Sequence, residues 1–294
     1  IGAIVDFGDL PVFEEATAYP CLLELKKVIT ETPFRAAEVG SLDFDNLNRL
    51  IQENYFLVDQ TKFNPESWTL IGISAQELVE KLNSQGIDLG HYLNGKFNYG
   101  VKTGLNKVFV IDEEQKEKLI EEDPKSGEII KPFLRGRDIK RYQTPSATQY
   151  LIFTRRGIEI ESYPAILNYL KNYKDELEPR PKDVPSNRWK GRKPGNYEWY
   201  EIQDAIDYYE EFEKPKIIYA EIATRGQFTL DEDNNYLDTT GFIMGSASKA
   251  LLGILNSKVW TFLFSTISSE IRGGYFRWKR QYLESMPLPQ SFEG

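Results

Sequence analysis

The chain is organised around residues 96–112, which read KFNYGVKTGLNKVFVID. Gly100 and Gly104 bracket a polar turn, and the apolar run that follows, Val108 to Ile111, is typical of a central strand. We therefore predict a strand, a glycine-flanked turn and a second strand. Glycines let a backbone come close to another group, and the turn between them can donate hydrogen bonds to a phosphate. A plain hairpin with a polar tip fits the same pattern.

Composition limits the class of protein. The 294 residues are 40% hydrophobic and 13% aromatic, which suits one large or two modest domains. No run approaches the ~20 apolar residues of a membrane-spanning helix, so we expect no membrane partner. With one cysteine, Cys21, and one histidine, His91, the chain lacks the residues for a disulfide framework or a structural zinc site, and we expect a reducing, cytoplasmic location. Because the chain begins at Ile1, we expect it to be part of a longer protein.

Charge is unevenly distributed along the chain. The net charge of −9 argues against nucleic-acid binding by the molecule as a whole. Four segments are nevertheless basic: residues 96–111, 129–143, 179–196 and 271–281 carry net charges of +3, +4, +5 and +4, so the other 234 residues carry −25. A basic surface on an acidic body holds a polyanion locally. Ordinary solvated faces would give the same distribution.

Local patterns predict both strands and helices. Residues 149–154 and 216–222 have the apolar, β-branched composition of strands, and residues 248–264 form an apolar helix. Residues 112–128 predict an acidic helix that should face away from phosphates. Residues 179–196, rich in Pro, Gly, Lys and Arg, predict a long loop. We expect an α+β fold with mixed or mostly antiparallel sheets and packed helices.

The sequence offers no complete catalytic motif. It contains no Pro-Pro dipeptide for an Asn/Asp-Pro-Pro-aromatic loop that would accept a flipped base, and no glycine-rich phosphate loop ending in Gly-Lys-Ser/Thr. Two triplets, residues 24–26 and 114–116, match the Glu-x-Lys pattern of many nucleases. Such triplets arise by chance among 45 acidic and 36 basic residues. We therefore expect this chain not to be catalytic by itself.

Five blocks, taken in order, resemble one protein family. Residues 99–112 and residues 130–142, IKPFLRGRDIKRY, are similar to its two longest blocks, and residues 214–218, 253–258 and 286–289 also fit. The family is the TaqI-like C-terminal specificity domain. It is the target recognition domain of adenine-specific DNA methyltransferases and of fused Type IIG restriction–modification enzymes.

The resemblance implies a role within a larger protein. The chain would read a short sequence of double-stranded DNA and position it for a covalently linked methyltransferase domain, which would bind S-adenosylmethionine and methylate adenine N6. It implies that residues 1–30 are the tail of that methyltransferase domain, residues 31–90 a helical connector and residues 91–290 the recognition domain. No cofactor, metal or catalytic residue is expected in this chain. A second reading is a protein–protein docking module of a restriction or phage-defence complex.

The basic segments supply the candidate DNA contacts. Contacts to phosphates or close to the bases are expected from Lys102, Thr103, Asn106, Lys107, Arg135, Arg137, Lys140 and Arg141. Contacts to phosphate give position and salt-sensitive affinity. Base reading pairs Arg or Lys with guanine and Asn or Gln with adenine. It is expected from Arg188, Lys190, Arg192, Lys193, Asn196, Arg272, Tyr275, Arg277, Lys279 and Arg280. In a second interpretation, Arg137 pairs with Asp138 and Asn106 bonds to the backbone, so that these blocks hold the fold.

The two groups of candidates predict different mutant phenotypes. Replacing Arg135 and Lys140 by alanine is expected to weaken binding to every DNA sequence, because phosphates are common to all. Replacing Arg277 or Arg192 is expected to relax the preference at one base position. Binding to a panel of duplexes with single base changes measures both effects. The reverse pattern would show that positioning and reading were assigned to the wrong segments.

Overall fold

The computed structural model describes residues 1–15, 18–27, 32–63, 68–268, 270–271 and 273–292. The strands are β1 (Ala3–Asp6), β2 (Cys21–Glu24), β3 (Phe34–Glu38), β4 (Phe56–Val58), β5 (Gly86–Asp88), β6 (Phe97–Tyr99), β7 (Val110–Ile111), β8 (Ile130–Leu134), β9 (Gln149–Ile152), β10 (Lys216–Ala220), β11 (Ile222–Ala223), β12 (Phe228–Asp231), β13 (Tyr236–Leu237), β14 (Gly241–Met244), β15 (Glu270–Ile271), β16 (Tyr275–Arg277) and β17 (Pro287–Pro289). The helices are α1 (Leu47–Asn54), α2 (Ile73–Gln85), α3 (Leu89–Tyr92), α4 (Asn106–Phe109), α5 (Glu113–Glu122), α6 (Pro164–Lys171), α7 (Lys174–Leu177), α8 (Lys249–Leu255), α9 (Lys258–Ile267) and α10 (Arg280–Leu283). Single 3-10 turns lie at Gln60–Lys62, Pro124–Glu128, Gly136–Asp138, Ile160–Ser162, Ser186–Arg188 and Tyr209–Glu211.

The chain divides into two compact units. Unit 1 consists of residues 1–89 together with residues 258–292, and unit 2 consists of residues 90–257. Both contain helices and open, mostly antiparallel sheets, which confirms the predicted α+β class. The separate roles expected for residues 1–30, 31–90 and 91–290 are roles within a larger protein, and they stay predictions.

Unit 1 is built on a four-stranded sheet with the strand order β2-β1-β3-β4. Strand β1 pairs antiparallel with β2 and parallel with β3, and β3 pairs antiparallel with β4. Because successive side chains of a strand point to opposite faces, Ile4 joins a small core with Phe34, and Val5 joins a second core with Val39. Near the C-terminus, the ring of Phe264 in α9 stacks on Trp278 with the centroids 3.9 Å apart.

Unit 2 contains two four-stranded sheets. One has the order β12-β10-β14-β6 and is antiparallel throughout. The other has the order β13-β8-β9-β7, and its only parallel pair among the described strands is β13 with β8.

All five residues of β10 are buried, including Lys216, whose ammonium group donates to Asp231 Oδ2 at 2.6 Å. Burial lowers the pKa of Lys216, and the carboxylate of Asp231 opposes that shift.

Two expectations about element type need correction. The apolar run from Val108 to Ile111 was predicted as a central strand. Val108 and Phe109 instead end the short helix α4, and only Val110 and Ile111 are extended, in the edge strand β7. A short run that is buried all round has the same sequence pattern in a helix and in a strand. The predicted helix over residues 248–264 is likewise two helices, α8 and α9.

No single helix in the described part of the chain is long and apolar enough to cross a membrane. Helices α8 and α9 reach that length and composition only when they are taken together across a bend.

Gly100 lies where two backbones of unit 2 meet. Its N–H donates to the carbonyl of Gly241 at 2.9 Å, and the next residue, Val101, donates to the carbonyl of Leu237 at 2.6 Å. A methyl group on Gly100 would lie 1.8 Å from the carbonyl oxygen of Asp238, well inside van der Waals contact. The close approach that the sequence predicts at this glycine is therefore made to the protein's own backbone.

Replacing Gly100 by alanine is expected to destabilise the protein by about 2 kcal/mol or more, because the added methyl forces two paired backbones apart. Urea unfolding of the variant and the wild type measures the difference. The matched control is Gly253→Ala in helix α8, where the new methyl meets no atom within 4 Å. The control is expected to leave stability unchanged or to raise it by up to about 1 kcal/mol. Equal effects of the two variants would contradict the role given to Gly100.

Candidate nucleic-acid interface

The Lys-Thr-Gly turn is held by its own chain. Thr103 is fully buried: its hydroxyl donates to Asn106 Oδ1 at 2.6 Å and accepts from the N–H of Leu105 at 3.1 Å. The structure therefore corrects the phosphate contact predicted for Thr103 to a structural role. The Asn106 side chain also helps to close the turn, but its partner is the Thr103 hydroxyl and not the backbone that the second interpretation names.

The two lysines of this turn have different surroundings. Lys107 is exposed and forms an ion pair with Glu176. Lys102 is exposed, and its carbonyl accepts from the N–H of Asp204 at 3.1 Å. Partial burial raises the pKa of the Asp204 carboxyl, and the nearby charge of Lys102 opposes that shift. Both lysines thus have acidic neighbours, which reduces the positive potential that the turn can offer to a phosphate.

The Arg-Gly-Arg-Asp block forms a 3-10 turn that presents one arginine to solvent. The N–H of Arg135 donates to Asp138 Oδ2 at 2.9 Å, and the N–H of Gly136 donates to the hydroxyl of Thr240 at 2.9 Å. Arg137 Nε lies 3.9 Å from Asp138 Oδ1, with 74% of the Arg137 side chain exposed. A contact this long and exposed is weak, so Arg137 remains available to an external anion.

The residues after this block form a second cationic turn. Lys140 is exposed, and the guanidinium carbon of Arg141 lies 4.9 Å from the centre of the Tyr142 ring. Within the described residues, the Nε of Arg141 is buried and has no hydrogen-bond partner. The backbone of the turn is fixed to strand β12, because the N–H of Tyr142 donates to the carbonyl of Phe228 at 3.3 Å.

Arg192 occupies the interior of unit 2 with only 4% of its surface exposed. Its guanidinium group donates at 2.7–3.2 Å to the backbone carbonyls of Thr103, Leu177, Glu198, Trp199 and Glu201. Five bonds use all five N–H groups of an arginine side chain. Burial lowers the pKa of Arg192 to about 10, so the side chain still carries its charge at neutral pH. The structure corrects the prediction that Arg192 reads a base.

A second arginine and a tyrosine complete this buried cluster. The Tyr197 ring is contacted by two guanidinium groups, with Arg192 Cζ at 4.4 Å and Arg156 Cζ at 5.1 Å from its centroid. Arg156 donates to the carbonyls of Ile202 and Gln203 at 2.6 and 2.5 Å. Arg156 is not among the site residues predicted from the sequence, although a pair of arginines before Gly157 follows directly on a predicted strand.

Most of the other residues of the 179–196 segment are exposed, and its irregular backbone confirms the predicted loop. It contains one 3-10 turn, Ser186–Arg188, and the remaining cations predicted to read bases lie at its surface: Arg188, Lys190 and Lys193, with Asn196 beside them. Gly191 lies between the exposed Lys190 and the buried Arg192. A methyl group on Gly191 would lie 2.3 Å from the carbonyl oxygen of Glu178, so the loop backbone packs closely against that residue.

The last basic segment belongs to unit 1. Tyr275 and Arg277 are exposed on strand β16, and Lys279 is half-buried before helix α10. Arg280 Nε lies 2.7 Å from Glu284 Oε1, one helical turn further on. The remaining candidate, Arg272, lies outside the described residues.

Replacing Arg192 by methionine is expected to destabilise the protein by more than about 3 kcal/mol, because five buried or partly buried backbone carbonyls lose the same donor group together. Arg188→Ala, in the same loop, is the matched control and is expected to change stability by less than about 0.5 kcal/mol. Urea unfolding measures both. A stable Arg192→Met variant with altered base preference would restore the reading role that the sequence predicts.

Comparisons with known proteins agree with the resemblance seen in the sequence. The chain is 22% identical over 310 residues to the Type II methyltransferase M.BstVI of Geobacillus stearothermophilus, covering 97% of this chain and 52% of that protein. It is 25% identical over 234 residues to the Type II methyltransferase M.PaeR7I of Pseudomonas aeruginosa, covering 76% and 37%. The chain thus spans about half the length, or less, of these relatives.

A solved structure shares the fold. The Type IIL restriction–modification enzyme MmeI, solved in complex with DNA, superposes with a TM-score of 0.52 at 14% identity, covering 97% of this chain and 34% of that one. The model of the TaqI-like C-terminal specificity domain matches residues 131–288, more than half of the chain. The chain therefore belongs to the TaqI-like C-terminal specificity domain family.

Proposed function

We propose that the chain is a DNA target recognition domain that positions duplex DNA for adenine-N6 methylation in a restriction–modification protein. The family match over residues 131–288 carries this proposal, because three of the four basic segments fall almost entirely within it. In such a protein, S-adenosylmethionine would bind in the linked methyltransferase domain. Double-stranded DNA and that domain are the partners we propose, in the cytoplasm.

The positions of the exposed cations suggest which of them contact phosphates and which read bases. Arg137 and Lys140 lie on two successive turns whose backbones are bonded to Thr240 and to strand β12, which suits contacts to phosphates at fixed positions. Arg188, Lys190 and Lys193 lie on a loop whose side chains can differ without changing a sheet, which suits reading of base edges. We propose the same reading role for Tyr275 and Arg277 on β16.

The acidic side of unit 2 supports a one-sided interface. Residues 112–128 carry a net charge of −5, and helix α5 within them is exposed apart from the buried Leu119 and a few half-buried residues. Two acidic residues in its first turn, Glu113 and Glu114, suit the positive end of the helix dipole. Repulsion from this helix would keep phosphates on other faces of the unit.

A second candidate function, protein docking, is favoured by an exposed apolar strand in unit 1. On the edge strand β2 and next to it, large hydrophobic side chains are exposed: Tyr19, Leu22, Leu23 and Leu25. Patches of this kind mark surfaces that other protein chains cover. The exposed apolar residues of β2 are not among the proposed DNA contacts, so docking of a partner and recognition of DNA can both hold for one protein.

Salt dependence tests the DNA-binding proposal. With the intact protein, the logarithm of the affinity for duplex DNA is expected to fall linearly with the logarithm of the salt concentration. Each phosphate contact should add about −0.9 to the slope of that line. Arg137→Ala combined with Lys140→Ala should reduce the slope by about 2, because two contacts are lost. N6-methyladenine should form when the intact protein, S-adenosylmethionine and cognate duplex are combined.

The matched control is Lys118→Ala, which removes an exposed lysine from the acidic helix α5 and should leave the slope unchanged. A wild-type slope near zero would reject DNA recognition and leave docking as the better proposal. Methylation at cytosine, with salt-dependent binding intact, would reject only the adenine assignment.

A further inference from the structure

Residues 140–143 form a tight turn with an unusual residue at its third position. The N–H of Gln143 donates to the carbonyl of Lys140 at 3.2 Å, which closes the turn. Tyr142 has a φ of 58°, in the left-handed region, whereas Arg141 is not among the residues with positive φ. This is the pattern of a type II turn, whose third position normally holds glycine or asparagine.

Tyr142 differs from the other left-handed residues of the described chain. The non-glycine residues with positive φ are Asn94, Tyr142, Ile206 and Asn234. Asparagine tolerates this conformation, and Ile206 is buried, so core packing can hold it there. Tyr142 is bulky and 55% exposed, so burial of its ring does not compensate for the strained backbone. Strain of this kind tends to persist where a side chain serves a function.

The surroundings of the ring are cationic. The guanidinium group of Arg141 lies over the ring, with Cζ 4.9 Å from the centroid, and Lys140 is exposed next to it. The Nε of Arg141 is buried and lacks a hydrogen-bond partner within the described residues, so no bond to this atom competes with the contact between the guanidinium group and the ring. The turn thus presents an aromatic surface bordered by positive charge, which matches a nucleoside bordered by phosphates.

We propose that Tyr142 contacts bound duplex DNA directly, with its ring packed against a deoxyribose and with Lys140 and Arg141 on the flanking phosphates. The proposal rests on the DNA-recognition function proposed above and adds a residue to it. The contact is to the sugar, which every nucleotide shares, so Tyr142 contributes affinity and no base preference.

Substitution at Tyr142 separates a binding role from a structural one. In the intact protein, Tyr142→Asn removes the ring and keeps a residue that tolerates positive φ, so the melting temperature should stay the same or rise. The dissociation constant for duplex DNA should increase about tenfold, because one aromatic packing contact is lost. The salt slope should stay unchanged, because no charge is removed. Tyr142→Phe should bind within about twofold of the wild type, since the ring is kept.

Tyr55 provides a matched control in unit 1. It is 41% exposed, the guanidinium carbon of Arg35 lies 4.7 Å from its ring centre, and its φ of −71° is unstrained. Tyr55→Asn should leave DNA affinity unchanged. An equal loss of affinity in Tyr55→Asn, or a fall in melting temperature together with affinity in Tyr142→Asn, would overturn the proposal.

Failure of this inference and failure of the proposed function give different results. If the wild type shows salt-dependent binding and Lys140→Ala lowers the slope, but Tyr142→Asn binds like the wild type, only the role of Tyr142 is rejected. If the wild type shows no salt-dependent binding to duplex DNA, the proposed function is rejected and the inference with it.

Discussion

Unit 2 depends on one buried guanidinium group. Arg192 joins the Lys-Thr-Gly turn, the end of helix α7 and residues 198–201 through five hydrogen bonds to backbone carbonyls. These carbonyls are buried or partly buried, and the loss of a donor there costs about as much as a lost hydrogen bond. The desolvation that lowers the pKa of Arg192 is offset because every N–H finds an acceptor. Segments up to 89 residues apart in sequence are thereby fixed to one another.

Glycines also stabilise unit 2, because they allow backbone segments to approach each other more closely than any other residue would. A methyl group would lie 1.8 Å from a carbonyl oxygen at Gly100, and 2.3 Å from one at Gly136 and at Gly191. All three lie in or beside basic segments, where the sequence suggests that a glycine makes room for a phosphate. The structure gives the room to neighbouring strands and loops of the same chain. The cations beside these glycines are presented by backbone that is already held in place.

Local signals predict the parts of the fold that local interactions decide. Strands β9 and β10 lie where the sequence indicates, because the strand preference of their apolar residues acts within a few residues. The burial of Arg192 could not be predicted in this way. Arg188 and Arg192 occupy the same basic loop, and only partners distant in sequence decide which one is buried. The helical conformation of Val108 and Phe109 could not be predicted from local sequence either. A segment that is buried on all sides lacks the alternation of polar and apolar residues that distinguishes a helix from a strand.

The alternation of buried and exposed residues in the 188–193 loop has an evolutionary consequence. Gly191 and Arg192 are tied to the interior, whereas Arg188, Lys190 and Lys193 contact mainly solvent. Mutations at the exposed positions cost little stability, so a lineage can change them one at a time while the domain stays folded. If these side chains read bases, divergence toward a new target requires no rebuilding of the domain. Gly191 and Arg192 would then stay the same among related domains. Arg188, Lys190 and Lys193 would differ between domains that were selected for different DNA sequences.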